Sequence, residues 1–344
     1  MASKKNKRKI LRTRDWTDKH EDAFSHERTR HRKAEGAPAP SPLSMIPPEE
    51  VQPNGMVLSH SGQWAFVSVD GHEHLCLMDE SLAGSEATVL AAGDLVQVEF
   101  RDGQPVVRGV ALRRTRLSRP VEERNGVSEQ VIAANIDVLV VVASVAQPRF
   151  KAGVVDRFLI AAGVGGVTPV LVINKTDLAP KEPLELEHYR GLGVAVVCTS
   201  CETGAGIGDL RAVLEGRLSV FAGQSGVGKS SLLNVLDPAL ELETCAVSDS
   251  NEKGRHTTSS ARLYMLQGGI RVIDTPGIRQ LGLWGVSPET LAFYFPEMAG
   301  MAVGCKFRNC THIHEPGCAV REAIEAGTIP QLRYDSYLHI RGSL

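Results

Sequence analysis

Three styles of hydrophobic patterning follow one another along the chain. Residues 56–58, 64–67, 75–77, 96–98 and 106–107 are short β-rich pieces, and Asp70-Gly71 and Asp102-Gly103 between them are hairpin signals. Five such strands in about sixty residues predict a small barrel of the OB type, with an SH3-like barrel as the alternative. From residue 137 the pieces become near-continuous apolar runs, at 137–145, 170–173, 194–198, 218–222 and 270–273. Runs of that kind suit parallel strands covered on both faces. Helical spacing lies between them at 154–162, 207–215 and 229–236. Residues 262–266 and 270–274, joined by Gln267-Gly268-Gly269, read as a β-hairpin. The alternation predicts a doubly wound α/β domain. Beyond residue 287 the pattern breaks into short helices, and 321–326 followed by Gly327 reads as a helix with a glycine stop.

The first fifty residues fit none of these patterns. Residues 1–33 carry twelve Lys/Arg against five acids, and Gly36-Ala37-Pro38-Ala39-Pro40-Ser41-Pro42 and Pro47-Pro48 follow. Such a segment cannot form a packed core and reads as a basic disordered arm and linker. The net charge of −2 thus divides into +7 on residues 1–33 and −9 on the remaining 311. A basic arm on an acidic body suggests a polyanionic partner, most simply nucleic acid; a solvated tail is the plainer reading. A second group, Arg113, Arg114, Arg116 and Arg119, closes the barrel segment and either contacts phosphates or forms an exposed linker. The expected organisation is an arm at 1–50, an OB-fold RNA-binding domain at 51–118, an α/β domain at 119–285 and a metal-binding domain at 286–344.

A length of 344 residues allows two to three domains. At 42% apolar and 23% charged, the composition is that of an ordinary soluble protein. No apolar run approaches the ~18 residues of a membrane span, and no apolar segment follows the basic N-terminal stretch as a secretory signal requires. A membrane protein, a secreted disulfide scaffold and a collagen-like chain are excluded, and a cytoplasmic monomer is expected. Seven cysteines, an odd number, point to a reducing compartment.

Candidate chemistry concentrates at three places. Gly223-Gln224-Ser225-Gly226-Val227-Gly228-Lys229-Ser230-Ser231 fits GxxxxGK[ST], after an apolar strand and before a helical pattern. The glycines let backbone N–H groups curl around a phosphate, and the helix N-terminus adds its dipole. Lys229 is placed to reach the β- and γ-phosphates and the Ser230 hydroxyl to ligate Mg²⁺. Asn174-Lys175-Thr176-Asp177 follows the strand at 170–173. The Asp177 carboxylate can accept from N1–H and the N2 amino group of guanine, donors that adenine lacks. Asn174 can bond the base edge at N7, and the stem of Lys175 can cover the ring. In Thr199-Ser200-Cys201, after the strand at 194–198, a backbone N–H can meet guanine O6; Ser200 is the chosen residue. Asp274-Thr275-Pro276-Gly277 ends the strand at 270–273, so Asp274 can hold Mg²⁺ through water and the Gly277 N–H can sense the γ-phosphate. Thr258, in the polar loop Lys253-Gly254-Arg255-His256-Thr257-Thr258, is the choice to complete the Mg²⁺ shell. The NKxD tetrapeptide precedes the phosphate loop, the reverse of the usual small-GTPase order. Joining the usual termini and opening the chain elsewhere gives the same sheet.

Cys305-x4-Cys310-x-His312-x5-Cys318 offers three thiolates and one imidazole, a set that suits tetrahedral structural Zn²⁺. His314 is a rival to His312. No large core is visible in residues 290–344, so the metal is expected to supply much of that region's folding energy. Lys306 and Arg308 beside the cluster could touch RNA.

The motifs NKTD at 174–177, GQSGVGKSS at 223–231, GRHTT at 254–258, DTPG at 274–277 and the Cys/His cluster together resemble the RsgA/YjeQ family over residues 50–340. These are circularly permuted GTPases that depend on the small ribosomal subunit. The N-terminal arm and Thr199-Ser200-Cys201 depart from the usual pattern. The resemblance implies an OB barrel, a permuted P-loop GTPase domain and a mostly helical zinc domain. It also implies GTP hydrolysis during late maturation of the small (30S) subunit, stimulated by that subunit, with GTP/GDP and 16S rRNA as partners. It favours His312 over His314 as the zinc ligand. Where many GTPases carry a water-orienting glutamine after DxxG, this chain has Ile278, which cannot hold a water. His256 is the candidate to do so, as a polar loop residue beside the Mg²⁺ threonine and as the histidine the resemblance points to. A scaffold that binds RNA and holds GTP only as a structural ligand is the alternative; a P-loop kinase is a third reading.

Overall fold

The computed structural model describes residues 46–82, 90–123, 126–179, 181–240, 242, 261–275 and 282–344. Strands β1 (Gly55–Ser61), β2 (Trp64–Val69), β3 (His72–Met78), β4 (Leu95–Arg101) and β5 (Gln104–Val110) close into a barrel of order β1-β2-β3-β5-β4. Strands β3 and β5 run parallel, and β1 closes on β4 antiparallel, which is the OB arrangement rather than an SH3-like one. Both expected hairpin turns form. Asp70 and Gly71 lie at φ 50° and 80°, and Asp102 and Gly103 at φ 49° and 82°, the paired left-handed conformation a two-residue hairpin needs. Alternate residues Val57, Ala65, Val67, Cys76, Val96 and Val107 fill the barrel interior.

The arginine group is not an exposed linker. Strand β6 (Arg116–Glu123) pairs with β7 (Gly126–Ala134) as a two-stranded ribbon. Arg113 grips the fully buried Asp94 through Nε and Nη2 at 2.8 and 2.9 Å. Arg114 pairs with Asp137, Arg116 with Glu129 and Arg119 with the Gln130 side chain, each at 2.7–2.8 Å. Arg113 thus ties the linker to the barrel segment, Arg114 ties it to the residue before β8, and Arg116 and Arg119 brace the two strands of the ribbon. The ribbon escapes hydrophobic patterning because its strands are largely polar and only part-buried.

The central sheet has the order β10-β9-β8-β11-β13-β12. Its members are β8 (Val138–Ser144), β9 (Thr168–Asn174), β10 (Ala195–Cys198), β11 (Leu218–Ala222), β12 (Arg262–Met265) and β13 (Arg271–Asp274). All pairs are parallel except β12 with β13, the expected hairpin. Strands β8 and β11 are buried at every position, as their unbroken apolar runs demand. Helices α1 (Ala152–Gly165), α2 (Glu185–Gly191), α3 (Ile207–Leu214) and α4 (Lys229–Leu236) connect the strands. Of these, α2 lies between expected elements: it is a short helix of about two turns anchored by the buried Leu186 and Tyr189.

The C-terminal helices are α5 (Pro296–Ala302), α6 (Ala319–Glu325) and α7 (Gln331–Arg341). Their apolar faces do not form a small separate core. Phe295, Met298, Val320, Tyr337 and Ile340 belong to one continuous cluster with Val155, Phe158 and Ala162 of α1 and Leu139 of β8. The premise that residues 290–344 have no large core is therefore corrected: their apolar residues are buried in a core shared with α1, which adds hydrophobic stabilisation to whatever a metal supplies.

Candidate nucleotide and metal sites

The phosphate loop is built by close approach. It leaves β11 at Gly223, φ 147°, where a Cβ would lie 2.2 Å from the Val142 carbonyl oxygen. Gly226 and Gly228 also have positive φ, 79° and 95°, so the loop turns twice before α4 begins. A Cβ on Gly228 would strike Asn174 Nδ2 at 2.3 Å. Lys229, first residue of α4, folds back so that Nζ donates to the carbonyls of Gly223 and Gln224 at 2.8 and 2.9 Å. The ammonium thus crosses the mouth of the amide cradle formed by residues 223–231. Ser230 and Ser231 follow in the first turn of α4, where backbone N–H groups are unmatched by the helix itself.

The NKxD segment and this loop are physically one unit. Asn174, the buried last residue of β9, donates from Nδ2 to the Val227 carbonyl at 3.0 Å. Its Oδ1 accepts from the Thr199 hydroxyl at 3.2 Å. Lys175, in the left-handed region at φ 62°, donates to the Gly226 carbonyl at 2.7 Å and to the Gln147 carbonyl. Thr176 donates through N and Oγ1 to the Thr199 carbonyl, at 3.2 and 3.1 Å. The sequence reading gave Asn174 to the base edge; its amide first of all ties three segments together.

Asp177 accepts a 2.5 Å bond from the Ser200 hydroxyl. The N–H groups of Thr199 and Ser200 are used within the fold, by the Ile173 and Ala205 carbonyls at 2.8 and 3.0 Å. The Ser200 hydroxyl therefore orients the Asp177 carboxylate, and its backbone N–H is already given to the Ala205 carbonyl. Cys201, next in line, is half-buried with Sγ 3.7 Å from Asn174 Oδ1. Burial raises its thiol pKa, so it stays protonated.

Asp274 ends β13 beside this loop. Burial raises its carboxyl pKa, opposed by the Thr275 N–H and the Lys229 charge. A carboxylate held in that way gains most from a nearby cation, and with the Ser230 hydroxyl it offers the hard oxygen donors that suit Mg²⁺. His256, Thr258, Gly277 and Ile278 lie outside the described residues.

The Cys/His cluster closes as its spacing suggested. The ligand atoms of Cys305, Cys310, His312 and Cys318 all lie within 4.8 Å of one another. Cys305 Sγ and Cys318 Sγ are 3.9 Å apart, and each faces His312 Nδ1, at 3.6 and 3.5 Å. Tetrahedral zinc with bonds of about 2.0–2.3 Å requires edges of roughly 3.5–3.8 Å, so the donors fit that ion. His314 is exposed and outside the cluster, which leaves His312 as the imidazole donor. The Cys310 thiol is pushed up to about 12 by burial and its neighbouring thiols, the penalty a bound dication would reverse. Around it, Tyr334 and Tyr337 donate to the His312 and Thr311 carbonyls at 2.7 and 2.9 Å.

Sequence reasoning missed a third polar centre. Arg333 of α7, almost fully buried, pairs with the buried Asp156 of α1 and with Glu297 of α5 at 2.6 Å. Tyr189 of α2 donates to Asp156 at 2.8 Å, and the guanidinium lies 4.6 Å from the Phe295 ring centroid. A charged residue on the buried face of an otherwise amphipathic helix was its sequence signal.

The RsgA GTPase family profile matches residues 110–284. The small ribosomal subunit biogenesis GTPase RsgA 1 of Vibrio vulnificus (strain YJ016) is 39% identical over 302 residues, covering 84% of this chain and 83% of that protein. The crystal structure of YjeQ from Thermotoga maritima is 34% identical with a TM-score of 0.69, and the two share 84% of this chain and 97% of that one. YloQ, described as a circularly permuted GTPase, is 27% identical with a TM-score of 0.61, over 85% of this chain and 94% of that one. The chain belongs to the RsgA family of GTPases, and it is a GTP hydrolase whose guanine motif comes before its phosphate loop.

Proposed function

We propose that this GTPase binds the small (30S) ribosomal subunit through its 16S rRNA, hydrolyses GTP there under stimulation by the subunit, and so acts in late small-subunit maturation as a cytoplasmic monomer. The observation that supports the nucleotide half is the pair of bonds from Asn174 to the Val227 carbonyl and from Lys175 to the Gly226 carbonyl, which ties the NKxD segment to the glycine-rich loop. In this reading Asp177 pairs with guanine N1–H and N2, Ser200 holds it, and the Cys201 N–H meets O6. Thr176 keeps the 199–201 loop in place. The amides of residues 223–231 hold the phosphates and Lys229 moves from the loop carbonyls onto the β/γ-phosphates. Mg²⁺ supplies charge neutralisation at those oxygens when bound with GTP; Ser230, Thr258 and, through water, Asp274 are its proposed holders. Gly277 senses the γ-phosphate and His256 positions the attacking water. The GTP-bound form favours attachment and hydrolysis favours release.

The printed name of the Vibrio relative, a small ribosomal subunit biogenesis GTPase, supports the ribosomal half. No helix of the described residues is long and apolar enough to cross a membrane. The proposed division keeps the arm at 1–50, the barrel at 51–118, the GTPase at 119–285 and the zinc domain at 286–344. Single-turnover phosphate release with and without purified small subunits tests the proposal. Stimulation by small but not large subunits is expected; equal rates in their presence and absence would overturn it.

A further inference from the structure

We propose that the loop between Cys305 and Cys310 is a hook for unpaired RNA, with Phe307 stacking on a base and Lys306 and Arg308 holding the flanking phosphates. It rests on the reading that the chain works on ribosomal RNA. Cys305 and Cys310 both turn inward to the ligand cluster, so residues 306–309 leave the domain as a loop, and all four are exposed. The loop is closed at its base: Lys306 N donates to the Gly317 carbonyl at 3.0 Å, and Cys310 N to the Phe307 carbonyl at 3.3 Å. Gly317 permits the first of these bonds, because at φ 71° an added Cβ would lie 3.3 Å from Lys306 Cβ. The loop is therefore held in shape before any partner arrives, which lowers the cost of binding.

Its chemistry is one-sided. Phe307 is 41% exposed, and Lys306 Nζ lies 5.7 Å from its ring centroid. Neither Lys306 nor Arg308 has a carboxylate partner among the described residues. The nearest acid in sequence, Glu315, is turned to the backbone instead. It accepts from Thr311 N and Oγ1 at 2.8 and 2.5 Å and from Ile313 N and His314 N at 3.2 Å each. Its charge is thus spent inside the turn, and the exposed loop presents one ring and two cations. A single exposed Phe is ordinary. A ring between two unpaired cations on a preformed loop fits a π-face with phosphates on either side, the arrangement by which single strands are held. A-form duplex hides its base faces, so the partner is an unpaired stretch.

The test uses the full chain and a 4-thiouridine-labelled single-stranded RNA of twelve nucleotides, with the same sequence annealed as duplex. Irradiation is expected to attach the single strand to the peptide spanning 305–310. Phe307→Leu should weaken anisotropy-measured binding about tenfold while Phe307→Trp restores it, since both replacements are apolar but only one stacks. Lys306→Ala with Arg308→Ala should lower the slope of log affinity against log salt by about 1.4. Bound zinc and unstimulated GTP hydrolysis should stay unchanged in every variant. Cross-links confined to other segments, equal binding by the Leu and Trp variants, or duplex held as firmly as single strand would overturn the inference. So would an acidic peptide displacing the RNA from this loop at equal charge. If subunit-stimulated hydrolysis persists while these results fail, the hook is wrong and the ribosomal reading stands.

Discussion

Asn174 Nδ2 donates to the backbone carbonyl of Val227 across 3.0 Å, so a residue of the base-reading segment is bonded directly to the phosphate loop. The two motifs are 53 positions apart and come in reversed order, yet the parallel pairing of β8 with both β9 and β11 brings their C-terminal ends to the same edge. Replacing Asn174 with Ala removes the bonds to Val227 and Thr199 and leaves a buried carbonyl unmatched. A loss of about 2 kcal/mol in GTP and GDP binding, roughly thirtyfold, is expected. Calorimetric titration of both nucleotides measures it; an unchanged affinity would mean that the tie has no part in holding the site together.

Asp177 and Ser200 make a sharper prediction about which base is read. Asp177→Asn exchanges two acceptor oxygens for an acceptor and a donor, which mismatches guanine and matches the 2-oxo group of xanthine. GTP affinity is expected to fall by about three orders of magnitude and XTP affinity to rise. Ser200→Ala, which loses the 2.5 Å bond to the Asp177 carboxylate and the 3.2 Å bond accepted from Thr203 N, should cost GTP binding about tenfold without opening the site to XTP. Competition binding with GTP, XTP and ATP separates the two variants.

Much of this was legible in the sequence, and the failures share a cause. Buried parallel strands announce themselves as apolar runs, and Gly223, Lys229, Asn174 and Asp177 stand in motif spacings at strand ends, so the sheet and the candidate site could be read directly. The β6–β7 ribbon could not, because its strands are held by side-chain pairs such as Arg116–Glu129 that leave no hydrophobic period. Which N–H of Thr199-Ser200-Cys201 is free was not legible either, because only the fold shows those of Thr199 and Ser200 given to the Ile173 and Ala205 carbonyls. The apolar residues of 290–344 looked too few for a core, since their partners Val155, Phe158 and Ala162 lie more than a hundred positions upstream.

That shared core shapes the effect of removing the metal. Native mass spectrometry should find one zinc ion per chain, and none after Cys310→Ser. Hydrogen exchange should then rise over α6 and α7, where His312 and Thr311 carbonyls anchor Tyr334 and Tyr337. It should also rise in α1, which packs on the same helices. Exchange confined to residues 303–318 would show that the metal shapes its own loops only.

Glu297 supplies a pH signature. Its burial raises the carboxyl pKa, but the His188 imidazole 3.6 Å away, the hydrogen bonds from Arg333 and the Arg333 charge outweigh that and bring it down to about 2. An ordinary glutamate titrates near 4.3. A pKa depressed by folding means stability that is present above the ordinary value and lost as pH falls from about 4.5 towards 2. On the order of 2 kcal/mol is at stake after screening. Glu297→Gln should be less stable than the parent at pH 7 and converge with it only as pH approaches about 2, the depressed pKa. Denaturant unfolding across that range tests the convergence, and zinc loss in acid cancels because both proteins suffer it.

Arg333 decides whether the α1–α5–α7 junction is a source of stability or of geometry. Asp156 has no solvent exposure, and burial raises its pKa despite the guanidinium beside it, so the pair is expensive to maintain. Arg333→Ala leaves that carboxylate and Glu297 without their cation, and a loss of about 3–5 kcal/mol is expected. Removing the charges together, Arg333→Met with Asp156→Asn and Glu297→Gln, should recover most of that loss, because no buried charge is then left without its partner. Urea unfolding of the single and triple variants measures both steps. Recovery of stability with loss of subunit-stimulated hydrolysis would assign the buried charges to holding the zinc domain at a set angle against α1 and α2. Recovery of both would make them a packing solution that uncharged residues can replace.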